Sequence, residues 1–213
     1  MPLLYKTERP LLGIWKMDES IEELWDMLPD KQWEKLRIAD RDLPFPHSEP
    51  RLKEWLTSRL LLKELLGQPH GITHDAAGAP RIADSPFQIS LSHTRGYVAI
   101  ILSDTQRTGI DIEYASDRVR KIRSRFLSAE EESFIDPQSE IQQLLICWCA
   151  KETLYKIIGQ EGVDFSVHLH IHPFRYSAPE GTLRVYESKT GLQKQYTLSY
   201  KVCPEFTLTY LNA

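Results

Sequence analysis

The sequence of 213 residues lacks most of the features that mark secreted, metal-thiolate or membrane proteins. It has only three cysteines and no C-x-x-C pair, which argues against a disulfide framework or a zinc site and predicts packed free thiols. No run of 18 apolar residues predicts a membrane span, and the first ten residues are too polar for a signal peptide. We therefore expect a cytoplasmic protein with no membrane partner.

An excess of basic residues is also missing. The chain has 26 Lys and Arg against 30 Asp and Glu, a formal net charge of −4. Nucleic-acid binding usually leaves a basic footprint, so we expect no nucleic-acid partner, although a local basic patch can still hold an anionic small molecule or an acidic protein. Hydrophobic content of 41% is ordinary for a globular protein with a buried core.

Helical and strand-like patterns are mixed along the chain, which predicts an α+β protein. Strands are predicted at residues 11–16, 88–93, 97–103, around 110–113, and through much of 165–211. Helices are predicted after Ser20, from Asp30 to Arg37 or Ile38, at 51–66, after Ser128 and at about 141–158, with a basic helix or loop at 117–126. No linker or repeat is present, and a division is possible near residues 104–108.

Two segments carry the most chemical information. In the strand Gly-Ile-Asp-Ile-Glu (109–113), Asp111 and Glu113 project from one face. In the helix Trp-Cys-Ala-Lys-Glu-Thr-Leu-Tyr-Lys (148–156), one face carries Trp148, Glu152 and Lys156, flanked by Lys151. We expect three carboxylates and two lysines to converge, a set that suits a divalent cation gripping phosphates.

Taken singly, each motif has an ordinary structural explanation. A pair such as Asp111 and Glu113 is more often a solvated strand face, and Glu152 followed by Lys156 is a common helix-surface pair. Trp148 alone is more typical of a core. It is the combination, order and spacing that favour a site.

Together with Ser90-Leu91-Ser92-His93, these motifs resemble the 4′-phosphopantetheinyl transferases, specifically the long single-chain type that activates peptide and polyketide synthetases. The resemblance covers about residues 11–171. It implies a monomer of two similar α+β halves related by a pseudo-twofold axis, with the active site between them. Residues 1–106 would form the half that holds the coenzyme A 3′-phosphate, and residues 107–213 the half with the metal site.

The resemblance also implies a reaction. The phosphopantetheine arm of coenzyme A would pass to a serine of an apo acyl or peptidyl carrier protein, releasing adenosine 3′,5′-bisphosphate. Asp111, Glu113 and Glu152 match the ligands of Mg²⁺, with Mn²⁺ as a possible substitute. The serine proton would go to Glu152, to a metal-bound water beside it, or to Glu131, and the sequence does not choose among them.

Further residues match coenzyme contacts of the family. Lys156 would contact the phosphates and stabilise the leaving bisphosphate, and Ser92-His93 ends the motif whose histidine contacts coenzyme phosphates. Cations for the 3′-phosphate are expected among Lys31, Lys35, Arg51 and Arg59, each of which has a solvated surface charge as an equal alternative. Lys151 would face solvent or the carrier.

One departure from the family pattern weakens the expected coenzyme binding. The family commonly has Gly-Lys-Pro where this chain has Gly78-Ala79-Pro80, and Ala79 cannot reach a phosphate. Arg81 is a possible replacement for that charge. A catalytically idle relative that binds coenzyme A or a carrier is therefore the alternative function. Another magnesium phosphotransferase is less favoured, because no P-loop or kinase-type glycine loop is present.

Two other polar clusters have weaker interpretations. The basic run at residues 118–125 is either a solvated face or a surface that meets an acidic carrier, and Arg120 and Arg123 are its central charges. His168, His170 and His172 alternate as on one strand face; exposed strand histidines are the favoured reading over a metal site.

Overall fold

The computed structural model describes residues 3–28, 46, 48–83 and 85–212. Lys31, Lys35 and the helix predicted from Asp30 lie outside the described residues. The chain divides into two compact units, Met1–Thr108 and Gly109–Ala213, and each packs helices on an antiparallel sheet, which confirms the α+β class. The assignment of separate roles to residues 1–106 and 107–213 stays a prediction.

The first unit contains a six-stranded sheet in the order β1-β2-β6-β5-β4-β3. Its strands are β1 (Leu3–Glu8), β2 (Leu11–Lys16), β3 (Ile72–His74), β4 (Pro80–Ile82), β5 (Gln88–Thr94) and β6 (Tyr97–Ser103). The helices described in this unit are α1 (Ile21–Asp26) and α2 (Glu49–Leu66). The strands predicted at residues 11–16, 88–93 and 97–103 are confirmed.

Local sequence signals set the ends of both helices. Ser20 caps α1 in a capping box with Glu23, in which each side chain accepts a hydrogen bond from the other's backbone N–H. Helix α2 begins two residues before the predicted start, because Pro50 fits the first turn, where no N–H is needed. It ends at Gly67 with φ of 75°, a left-handed conformation that glycine adopts easily. Its buried leucines pack with Val98, Ile100 and Leu102 of β6.

The second unit contains a five-stranded sheet in the order β7-β11-β10-β9-β8. Its strands are β7 (Ile110–Tyr114), β8 (Leu169–Ile171), β9 (Glu180–Glu187), β10 (Gln195–Val202) and β11 (Phe206–Leu211). Its α-helices are α3 (Val119–Ile122), α4 (Ala129–Glu132), α5 (Glu140–Ile158) and α6 (Phe165–His168), and short 3₁₀ turns lie at Arg123–Arg125 and Pro137–Ser139.

The strand predicted from Phe165 is wrong at its start. Asp164 accepts hydrogen bonds from the N–H groups of Ser166 and Val167 and so caps helix α6. His168 therefore ends a helix and does not alternate with His170 along one strand.

Helix α5 packs directly on β7 and β11, and this contact positions the candidate site. Gly109 permits the close approach, since a Cβ there would lie 2.5 Å from the carbonyl oxygen of Thr153 and 2.7 Å from Cγ1 of Ile157. The hydroxyls of Thr153 and Thr209 lie 2.6 Å apart and tie the helix to β11. Among the described helices, none is both long and apolar enough to cross a membrane.

Candidate active site

Helix α5 reaches both acidic positions of strand β7. The Lys156 ammonium donates to Asp111 Oδ1 at 2.7 Å and to the carbonyl oxygen of Ile110 at 2.9 Å. Trp148, two turns earlier on the helix, donates from Nε1 to Glu113 Oε1 at 2.9 Å. The alternation of the strand and the i, i+8 spacing of the helix thus bring four predicted side chains into two direct pairs.

Glu152 lies one helical turn from each of these donors, and its acidity is strongly altered. Burial and, next, the negative charge of Asp111 raise its pKa to about 7, against an opposing effect of Lys156. Burial also raises the pKa of Glu113; the hydrogen bond from Trp148 opposes this, and the charge of Asp111 adds to it. Three carboxylates therefore repel one another in a partly desolvated place, where a cation would relieve the repulsion.

The chemistry of this donor set fits a hard divalent ion. Mg²⁺ binds carboxylate oxygens and completes its coordination shell with water and substrate phosphates. The carboxylates of Asp111, Glu113 and Glu152 are therefore ligands of the type that Mg²⁺ prefers. Within the described residues, no group of three or more His, Cys, Asp or Glu side chains is arranged so that it could hold a metal ion. The three residues remain the predicted ligands, and their convergence on one ion stays a prediction.

Lys151 does not join this group, and its expected position at solvent or at the carrier is wrong. It is fully buried, and its ammonium donates to Glu131 Oε2 at 2.6 Å and to the carbonyl oxygens of Phe126 at 2.6 Å and Phe165 at 3.0 Å. The physical reason is its helix position, since adjacent residues point about 100° apart and Lys151 faces the core when Glu152 faces β7.

Glu131 belongs to the same buried network. Only 3% of the residue is exposed, Oε2 also accepts from the N–H of Ser128, and Oε1 accepts from the N–H of Ile171, both at 2.8 Å. The Ser128 cap predicted from sequence is confirmed as a capping box with this glutamate. Because both oxygens of Glu131 are engaged, we do not assign it the proton transfer.

The comparisons with known proteins agree with this geometry. Residues 107–210, which contain β7, α5 and the rest of the second sheet, match the family model described as the 4′-phosphopantetheinyl transferase superfamily. The second unit, in which this match lies, is therefore assigned to that superfamily. The match covers the half of the chain in which the carboxylates and Lys156 lie.

Curated relatives are similar over a region of about the same size. The 4′-phosphopantetheinyl transferases AcpT of Escherichia coli O157:H7 and strain K12 are each 30% identical over 116 residues, covering 52% of this chain and 60% of the relative. AcpT of Salmonella typhimurium strain LT2 is 29% identical over 115 residues, covering 53% of this chain and 60% of the relative. The chain thus spans about 60% of the length of these relatives.

Two residues that the superfamily resemblance assigned to the coenzyme meet around a carboxylate in the first unit. His93 on β5 exposes 37% of its side chain, and its Nδ1 lies 3.4 Å from Glu54 Oε1 on α2. The exposed Arg51 lies 3.3 Å from Oε2 of the same glutamate. Ser92, beside His93, is buried. Glu54 was not predicted from the sequence, although its position three residues after Arg51 on a helix was a usable signal.

Arg59 is not the solvated surface charge that was the alternative to a coenzyme contact. It is 4% exposed, its Nη1 donates to the carbonyl oxygen of Trp55 at 3.2 Å and to Ser58 Oγ at 3.0 Å, and its Cζ lies 4.1 Å from the centroid of the Trp55 ring. The alternative of a solvated charge is wrong, because the guanidinium is packed on an aromatic face. Its contact with a 3′-phosphate stays a prediction.

The turn that departs from the superfamily pattern is well ordered by Asp75. The N–H of Ala79 donates to Asp75 Oδ1 at 2.9 Å, and Arg81 donates to Asp75 Oδ2 through Nε at 3.2 Å and Nη2 at 2.9 Å. Arg81 also donates to Gln88 Oε1 at 2.7 Å. The charge of Arg81, which was the possible substitute for a lysine at position 79, is therefore already paired within the turn.

The basic run divides into structural and exposed charges. Arg120 and Arg123 both donate to Glu140, at 2.6 and 2.7 Å, and Arg123 also pairs with Glu132. These two arginines therefore link α3 and the following turn to α4 and α5. Arg118, Lys121 and Arg125 are exposed, as is Arg120 despite its ion pair, whereas Arg123 is half-buried.

The histidines near β8 are half-buried rather than exposed. The ring of His170 stacks on Tyr186 at 4.5 Å, its Nε2 lies 2.9 Å from Ser188 Oγ, and burial lowers its pKa. The ring of His172 lies 5.2 Å from Tyr186. The two histidines that share a face thus pack on a tyrosine of β9.

Proposed function

We propose that this protein transfers the 4′-phosphopantetheine group from coenzyme A to a serine of an apo acyl or peptidyl carrier protein. The activity would be of the holo-[acyl-carrier-protein] synthase type, dependent on Mg²⁺ or Mn²⁺, in a cytoplasmic monomer. The observation that carries the proposal is the constellation of Asp111, Glu113, Glu152 and Lys156 where α5 packs on β7, within the segment that matches the superfamily.

The metal would be held by Asp111, Glu113 and Glu152, and when bound it supplies positive charge that neutralises the pyrophosphate. The serine hydroxyl oxygen attacks the β-phosphorus as the bond from that phosphorus to the bridging oxygen breaks. The serine proton passes to Glu152 or to a water beside it, and the bridging oxygen leaves with adenosine 3′,5′-bisphosphate.

Lys156 would stabilise the negative charge that develops on the leaving bisphosphate. Its ammonium lies against Asp111 and the end of β7, so it is held at the place where phosphates would meet the carboxylates. His93 would contact the coenzyme phosphates, and binding of the coenzyme end would hold the pyrophosphate in line with the serine. Cationic contacts from Lys31, Lys35, Arg51 and Arg59 complete the proposed coenzyme site.

The second candidate is a relative that binds coenzyme A or a carrier without transfer. The observation that favours it is the turn at Ala79, where the superfamily's usual lysine is missing and Arg81 is paired with Asp75. The intact set of carboxylates with Lys156 favours the transferase.

Intact-protein mass spectrometry separates the two candidates. A panel of apo carrier proteins is incubated with this protein, coenzyme A and Mg²⁺, and we expect one carrier to gain the mass of one phosphopantetheine. The gain should vanish with a chelator, in Glu152→Ala and on a carrier whose acceptor serine is replaced by alanine. Glu130→Ala, which removes an exposed carboxylate of α4, is the matched control and should retain transfer. No gain on any carrier, with coenzyme A binding intact, would contradict the proposal and favour the idle relative.

A further inference from the structure

The indole of Trp148 is held by two phenylalanines from separate segments. Its ring lies 5.3 Å from that of Phe126 in an edge-on arrangement and 5.7 Å from that of Phe165, centroid to centroid. Phe126 is fully buried in the loop before α4, and Phe165 begins α6. Edge-on and tilted aromatic contacts restrict how a ring can rotate. The direction in which Trp148 presents its Nε1–H to Glu113 therefore depends on where these two rings lie.

The backbone of both phenylalanines is bound to a single ammonium. Lys151 donates to the carbonyl oxygens of Phe126 and Phe165, and its third hydrogen bond goes to Glu131. Glu131 in turn accepts from the N–H of Ile171 on β8. All three donors of a fully buried lysine are thus used to join three segments beside α5, and its charge is balanced by a buried carboxylate.

We propose that Lys151 and Glu131 are positioning residues that act on the candidate metal site through Phe126, Phe165 and Trp148. The pair fixes the two phenylalanine backbones, the rings fix the indole, and the indole N–H orients the Glu113 carboxylate. The inference rests on the proposed function in one respect, the role of Glu113 as a metal ligand. Hydrogen bonds to a ligating carboxylate from outside the metal shell set its orientation, and their loss typically weakens metal affinity by about 10- to 100-fold.

The first test measures Mn²⁺ binding by electron paramagnetic resonance of the free ion, without coenzyme or carrier. Trp148→Phe keeps an aromatic ring against Phe126 and Phe165 but removes the N–H, and we expect Mn²⁺ affinity to fall by about 10-fold. Trp15→Phe is the matched control, because it removes an indole N–H that donates to a different carboxylate, Glu19, at 3.3 Å. The control should leave Mn²⁺ affinity unchanged.

The second test asks whether Lys151 acts through Trp148. Lys151→Met is combined with Glu131→Gln so that no unpaired charge is buried, and this variant should weaken Mn²⁺ binding in the wild-type background but not further in Trp148→Phe. Such non-additivity is the signature of residues that act through one another. Phe165→Leu loosens the ring contact while keeping the ion pair, so it provides the same comparison if the double substitution does not fold.

The inference and the proposed function fail in different ways. Unchanged Mn²⁺ affinity in Trp148→Phe, additive losses in the combined variants, or no Mn²⁺ binding by the wild-type protein would each overturn the inference, whether or not a carrier is modified. Conversely, Mn²⁺ binding that depends on Trp148 and Lys151 would uphold the inference even if no carrier accepted phosphopantetheine, an outcome that would contradict only the transferase.

Discussion

Glu152 combines a partly buried position with two neighbouring carboxylates, and its raised pKa makes the stability of the metal-free protein dependent on pH. The ordinary value for a glutamate is 4.5, and in the folded chain it is about 7. Between these values the folded state retains a proton that the unfolded state has lost. The free energy of unfolding without metal should therefore decrease as pH rises from about 4.5 to 7.

This effect is measured by urea unfolding in a chelator at pH 5 and pH 8. Glu152→Gln cannot lose a proton, so we expect it to be more stable than the wild type by about 1–2 kcal/mol at pH 8 and closer to it at pH 5, after allowance for partial solvent screening. Glu130→Gln, an exposed glutamate, is the control. A stabilisation by Glu152→Gln that is equal at both pH values would contradict the prediction.

Ala79 is the residue at which coenzyme binding should be improvable. Its N–H is bound to Asp75, so a side chain can change there without loss of the turn's hydrogen bond. We expect Ala79→Lys to tighten coenzyme A binding by about 10-fold if the new ammonium reaches a phosphate. Calorimetric titration with coenzyme A measures the affinity, and Ala77→Lys in the same turn is the control. No gain in coenzyme A affinity in Ala79→Lys would show that position 79 does not face the coenzyme.

At the scale of elements, the contact between α5 and β7 depends on the missing side chain of Gly109. Its Cβ would meet the Thr153 carbonyl oxygen, which belongs to the helix backbone and cannot move aside. Gly109→Ala should therefore lower the free energy of unfolding by about 2–3 kcal/mol and abolish transfer. Gly13→Ala is a matched comparison, since its Cβ would meet the end of the flexible Leu61 side chain at 2.7 Å.

We expect Gly13→Ala to cost less, about 1 kcal/mol, because a leucine rotamer can change where a helix backbone cannot. Thermal and urea unfolding measure both. An equal cost for the two alanines would mean that the close approach of α5 to β7 is not specially demanding.

The basic run also acts at the scale of an element, and its charges have separable roles. The proposed function expects an acidic carrier protein as partner, so exposed cations should speed the encounter. We expect Arg118→Glu with Lys121→Glu to lower kcat/KM for the carrier by about 10-fold at low salt, with coenzyme A affinity unchanged.

Arg120→Glu with Arg123→Glu should instead destabilise the second unit, since these arginines pair with Glu132 and Glu140. Transfer kinetics at two salt concentrations and unfolding curves distinguish the pairs. Unchanged kinetics at low salt for the exposed pair would remove this face from the carrier-binding surface.

At the scale of the whole molecule, the two units should contribute differently. His93 of the first unit is proposed to contact coenzyme phosphates, whereas Glu152 of the second is proposed to bind metal. We expect His93→Ala to weaken coenzyme A binding by about 10-fold without changing the Mn²⁺ affinity measured in the absence of coenzyme. Glu152→Ala should instead weaken Mn²⁺ binding without changing coenzyme A affinity. A loss of Mn²⁺ affinity in His93→Ala would contradict this division of roles.

The sequence by itself predicted those features that depend on local periodicity. The alternation of a strand put Asp111 and Glu113 on one face, and the helical repeat put Glu152 and Lys156 on one face, because both periods follow from backbone geometry alone. Helix caps at Ser20 and Ser128 were equally readable, since a cap is made with residues three positions away.

The tertiary structure decided which charges are used within the fold. Lys151 stands beside Glu152 in sequence, yet its partners lie 14 to 25 residues away, and Arg123 meets Glu140 across 17 residues. The burial of Arg59 likewise depended on packing, whereas the Asp164 cap that starts α6 is local and was readable from the sequence. A local pattern fixes the direction of a side chain, but burial and long-range partners exist only once separate segments have packed together.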